Sequence, residues 1–167
     1  MRLGALALGI EAALAAGLAG AVGAPPMPAI AEKAPLPALH FAAYAPQKVV
    51  YHVTHGAGLL GREHKALLDV VQNHVNAVGP GFIDLRIVLQ GSGVDMLVAA
   101  RHDAALAHTV DRLRRQGVRF VLCYNTLYGR RLDFARDLYG VTEADIVSAA
   151  VAEVTALQAA GYAYMKY

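Results

Sequence analysis

The chain has 167 residues, with 15 Lys and Arg against 13 Asp and Glu, a formal net charge of +2, and a single cysteine. That length is one domain's worth. The mixed charges argue against a nucleic-acid-binding face, and one cysteine excludes an intramolecular disulfide.

Read from the start, residues 1–31 differ from the rest. Their only charges are Arg2 and Glu11, set among Ala, Leu and Gly. A basic start, an apolar run and small residues read as a signal peptide. Cleavage fits after Ala31, in Ala29-Ile30-Ala31, and less well after Ala24, where Pro25 would come first. Glu11 opposes insertion, so the apolar core is better placed at residues 12–22. A retained anchor and an uncleaved cytoplasmic tail are the competing readings. Residues 32–46 form a Pro-rich arm or linker, because six prolines (Pro25, Pro26, Pro28, Pro35, Pro37 and Pro46) run up to and through it with little periodicity. The folding domain is then 47–167, and it needs no membrane explanation.

Lys48 to Val53 is a β-branched and aromatic run, the expected first strand. A glycine-rich loop, Thr54 to Gly61, leads into a helix over 62–78, where Leu67, Leu68, Val71, Val75 and Val78 make one apolar stripe. Gly79-Pro80-Gly81 stops it. Residues 82–89 read as a second strand and 94–99 as a short helical segment. Asp103 is the N-cap of a helix ending at Gln116-Gly117. The cluster Arg112, Arg114, Arg115 and Arg119 suits a solvated helix C-terminus. Val118 to Cys123 is a third strand, followed by a loop and short helix over 125–139. Ile146-Val147 is a fourth strand, Ser148 caps a last helix, and 162–166 closes the domain as a strand. Alternating strands and helices predict a three-layer α/β/α fold on a mainly parallel sheet of about five strands.

Three constellations could carry chemistry. Gly56-Ala57-Gly58-Leu59-Leu60-Gly61 fits a dinucleotide fingerprint by letter and by context, but no acid closes the second strand to hold a ribose, since Asp84 lies near its start. A loose turn, or a small anion at the helix N-terminus, fits better. The seven histidines lack ligand spacing: His52 and His55 point to opposite faces of a strand, His64 and His74 do not share a helix face, and His102 and His108 have no acidic or cysteine partner. Most of them are expected at the surface or as caps, with no metal. Cys123 closes the third strand, and in open parallel sheets reactive groups gather at the carboxyl ends of strands. Asn125 and Thr126 offer donors beside it, and Arg130 follows closely. Positive charge and N–H groups favour the thiolate. A small apolar core residue fits the same position equally well. If the first and third strands are neighbours, His55 emerges beside Cys123 and can hold its proton.

The string Val118-Arg-Phe-Val-Leu-Cys-Tyr-Asn-Thr-Leu127 resembles the cysteine-bearing segment of the DsrE/DsrF-like family. Residues 48–53 resemble that family's opening strand, residues 73–80 its first helix end and residues 161–164 its closing strand. The resemblance covers 47–167. It implies homo-oligomers, trimer or hexamer, and a cysteine able to carry sulfur as a persulfide. That role falls on Cys123, with Asn125 and Thr126 as loop partners. The loop Thr54-His55-Gly56-Ala57 departs from the family pattern. The resulting expectation is an exported sulfur carrier, periplasmic or secreted, with a solvent-presented thiol and no cofactor. Its partners would be a donor or acceptor protein or a small polysulfide. The alternative is a non-catalytic oligomeric module that binds a small ligand and keeps the cysteine as a structural residue.

Overall fold

The computed structural model describes residues 43–56, 58 and 62–167. The leader, residues 32–42 of the arm, and Ala57, Leu59, Leu60 and Gly61 of the glycine-rich loop lie outside the described residues. Strands β1 (Gln47–Val53), β2 (Ile83–Leu89), β3 (Arg119–Cys123), β4 (Ile146–Val147) and β5 (Ala163–Lys166) form one sheet. Its order is β4-β3-β2-β1-β5, and every pair is parallel. The helices are α1 (Arg62–Val78), α2 (Asp95–Ala100), α3 (Ala104–Arg115), α4 (Tyr124–Arg130), α5 (Phe134–Asp137) and α6 (Ala150–Ala159). No described helix is long and apolar enough to cross a membrane.

The strand order explains the layers. From β1 to β4 the chain steps one strand at a time in a single direction, and right-handed crossovers then put every connecting helix on one face. The step from β4 to β5 runs back across the sheet, so α6 lies on the other face. Strand alternation sorts the side chains accordingly. Val49, Tyr51, Leu85, Ile87, Leu89, Phe120 and Leu122 join Leu67, Leu68, Val71, Leu97 and Leu113 in the main core. Val50, Val88, Val121 and Cys123 meet Ala150, Val154, Leu157 and Tyr162 in a smaller second core under α6. Each such Leu or Val contributes about 1.5–3 kcal/mol by leaving water.

The expected helix over 62–78 is present with those bounds, and Asp103 caps α3 by accepting from the N–H groups of Ala105 and Leu106. Three expectations need correction. β1 and β3 are not neighbours, because β2 lies between them. Cys123 runs straight into α4, so Asn125 and Thr126 lie on the first turn of a helix instead of in a loop. Ser148 is not the cap of α6; Ala149 holds that position without a side-chain bond.

Candidate functional site

Cys123 ends β3 in extended geometry, with φ −77° and ψ 115°, and serves as the N-cap residue of α4. Because Val121 faces α6, so does Cys123, two residues on. The residue is 3% exposed. The expectation of a thiol presented to solvent is therefore not met in the single chain: Val50, Val88, Val121 and the first turns of α6 enclose it.

The enclosure is polar on one side. The N–H of Ala150, first residue of α6, donates to the sulfur at 3.4 Å. The N–H groups of Asn125 and Thr126 face it from α4 without closing a cap hydrogen bond, and the Thr126 hydroxyl adds a further donor. Burial pushes the Cys123 thiol up, but these donors together outweigh it and hold the thiol below its ordinary value. Two helix starts thus converge on one sulfur, each contributing free N–H groups and the positive end of its dipole. This is the environment that favours a thiolate.

Thr126 is itself held. Its Oγ1 accepts from the Gly91 N–H at 3.0 Å. Gly91 has φ +57°, a left-handed conformation that favours glycine. Gly93, two residues on, has no room for a side chain, since a Cβ there would collide with the Val53 carbonyl. The Gly91-Ser92-Gly93 turn after β2 therefore aims a backbone donor at the residue that polarises the sulfur. Arg130 braces the same turn. Its guanidinium donates to the Gly91 carbonyl at 3.1 Å and pairs with Asp95 at 2.7 Å. Arg130 thus supports the loop and does not act on the thiol directly.

His55 is not brought beside Cys123. It is exposed at the end of β1, bonded to Thr54 Oγ1 at 3.3 Å, with β2 between it and β3. Two other histidines are drawn into the fold. His64 is 2% exposed, with neither ring nitrogen in a well-formed hydrogen bond, and burial lowers its pKa against the pull of Asp95, the His55 backbone and Glu63. His74 bridges Tyr51 and Gln47, at 3.0 and 2.7 Å.

Sequence reasoning also missed the Ala150 donor at Cys123 and a histidine link between β1, β2 and β5. Ala150 acts through its backbone, so its side chain carries no signal. His52 bonds Gln90 at 2.8 Å and Tyr164 at 3.2 Å, a link between three strand ends that no local spacing announces. A cavity of about 610 Å³ is lined by Tyr124, Leu127, Tyr128, Arg131, Phe134 and Ile146 among others, and Cys123 does not line it.

A model of the DsrE/DsrF-like family matches residues 38–167. Among solved structures the chain is similar to the protein of unknown function MTH1491 from Methanobacterium thermoautotrophicum. The two are 29% identical, with a TM-score of 0.59, and the match covers 72% of this chain and 99% of that one. No curated protein matches it.

Proposed function

The chain belongs to the DsrE/DsrF-like family, and from that premise we propose that it is a sulfur-trafficking protein in which Cys123 carries a sulfane sulfur. The observation that carries this reading is the convergence of the α4 and α6 N-termini on the Cys123 sulfur, whose donors outweigh its burial. The Cys123 thiolate attacks the outer sulfur of a donor persulfide, R–S–SH. A new S–S bond forms as the donor's S–S bond breaks, and the electron pair leaves on R–S⁻. The product is Cys123–S–SH. An acceptor thiolate then attacks that outer sulfur, takes it as a new persulfide and returns Cys123 as the thiolate. This is thiol–disulfide exchange displaced by one sulfur atom, and it needs no external oxidant.

The same N–H groups that favour the thiolate as nucleophile also favour it as leaving group, so one arrangement serves loading and unloading. The charge-poor apolar stretch of residues 1–31 supports work outside the cytoplasm, after export and cleavage. Assembly into a homo-oligomer, trimer or hexamer, is part of the proposal.

The second reading is a structural cysteine inside a small-ligand-binding module, and the observation favouring it is the 3% exposure of Cys123. Mass spectrometry of the full chain after incubation with inorganic polysulfide separates the two. The carrier gains one sulfur atom on Cys123, removed by a reducing thiol and absent from Cys123→Ser. No gain on a folded chain whose thiol also resists alkylation establishes the structural role.

A further inference from the structure

We propose that the cavity between α1 and α3 binds a small organic carboxylate, with the buried His64 ring as its hydrogen-bonding partner. Cys123 and its donors take no part, so the carrier reading can fail without it. The buried residues of α1 are His64, Leu67, Leu68, Val71, Val75 and Val78, so His64 holds the first position of an otherwise apolar face. It is 2% exposed, yet among the described residues neither Nδ1 nor Nε2 has a well-formed hydrogen bond. A leucine would fill that position with no polar group to satisfy. Buried polar groups are ordinarily paired, and an open one calls for a partner from outside the chain.

His64 lines a cavity of about 290 Å³ between α1, the end of α2 and α3. Leu68, Ala99 and Leu106 give it apolar walls. Arg62 and Lys65 bring two cations from the first turn of α1, where the helix dipole also favours an anion. Two acids line it as well. Asp103 is engaged, its Oδ1 accepting from the Ala105 and Leu106 N–H groups. Asp69 is exposed and lies one turn after Lys65. This combination fits a carboxylate on a short apolar body, with the body against the leucines and the charge between the cations and the imidazole. Burial holds His64 below its ordinary pKa against Asp95, the His55 backbone and Glu63, so the ring of the empty site is neutral at pH 7. A carboxylate beside it favours the charged ring, which has an N–H donor on each nitrogen. Binding therefore raises the His64 pKa and takes up a proton.

Calorimetric titration of the full chain with sodium butyrate, in buffers of different ionisation enthalpy, reads affinity and proton uptake together. The expected result is binding coupled to proton uptake, tighter at pH 6 than at pH 8, with the His64 ring resonances displaced in NMR. His64→Leu keeps the stripe apolar. It is expected to end the proton uptake and to weaken binding about tenfold, the scale of one hydrogen bond to a charged group. Arg62→Gln combined with Lys65→Gln changes two exposed side chains, leaves the fold intact and weakens binding by a similar factor. Inorganic phosphate, a charge without an apolar body, binds more weakly than butyrate. His64 resonances unmoved by butyrate overturn the proposal and leave an ordered water as the ring's partner. Equal affinity in wild type and His64→Leu, binding without proton uptake, or phosphate binding as tight as butyrate overturns it likewise.

Discussion

At Cys123 two effects oppose each other. Removal from water favours the neutral thiol, while the donors of Ala150, Thr126 and Asn125 favour the thiolate, and the donors win. Thr126 is the side chain through which this balance can be adjusted, since the others act through their backbones. Thr126→Val keeps the shape, removes the hydroxyl and leaves the Gly91 N–H without its acceptor. The Cys123 thiol pKa is expected to rise, read as a shift of the thiolate's ultraviolet absorbance to higher pH. An unmoved titration would remove Thr126 from the site. The position of Cys123 at a strand's carboxyl end was legible in the sequence, because a β-branched run ending in cysteine marks it. The donor at Ala150 was not, since any residue in that place has the same N–H. Nor was the Arg130–Asp95 pair, which joins residues far apart in the chain.

At the scale of elements, α6 is the single helix on its face among the described residues, and it closes the second core with Ala150, Val154 and Leu157. That core is small, so each contact matters to the sulfur's enclosure. Val154→Ala removes two methyl groups from a nearly buried site and is expected to cost about 2 kcal/mol in denaturant unfolding. The same change on the exposed Val151 is expected to cost little. A loss as large at Val151 as at Val154 would mean that α6 packs differently. The stripe of α1 was legible because five apolar residues at helical spacing leave one solution. The cap of α6 was not: Ser148 carries the right chemistry, yet the chain turns one residue later at Ala149.

On the scale of the whole molecule, buried titratable groups shape stability against pH. Burial lowers the pKa values of His64 and His74, so both fold in the neutral form. A depressed folded pKa means that stability is fully present above the unfolded value of about 6.5 and is lost as pH falls below it. For Asp84, burial works upward, but the Tyr162 hydroxyl and Arg86 outweigh it, and its net shift is down. Its contribution is present above the ordinary carboxylate range and is lost at more acidic pH. The thermal midpoint is therefore expected to begin falling below about pH 6.5, before the carboxylates titrate. His64→Leu should flatten that first decline, and an unchanged decline would clear His64 of the effect. The α/β class and the count of strands were legible from alternation alone. The strand order was not, because a stepwise β1-to-β4 walk and a doubly wound path produce the same alternation. Only packing of α6 across the sheet chooses between them, and that choice separates His55 from Cys123. The central claim is that this fold stabilises a thiolate within a nearly closed core, and the pH–rate profile of Cys123 alkylation in the native full chain tests it most directly. The predicted result is measurable reaction with a midpoint below that of the urea-unfolded chain; a native midpoint at or above the unfolded one, or no reaction at any pH where the fold persists, would contradict it.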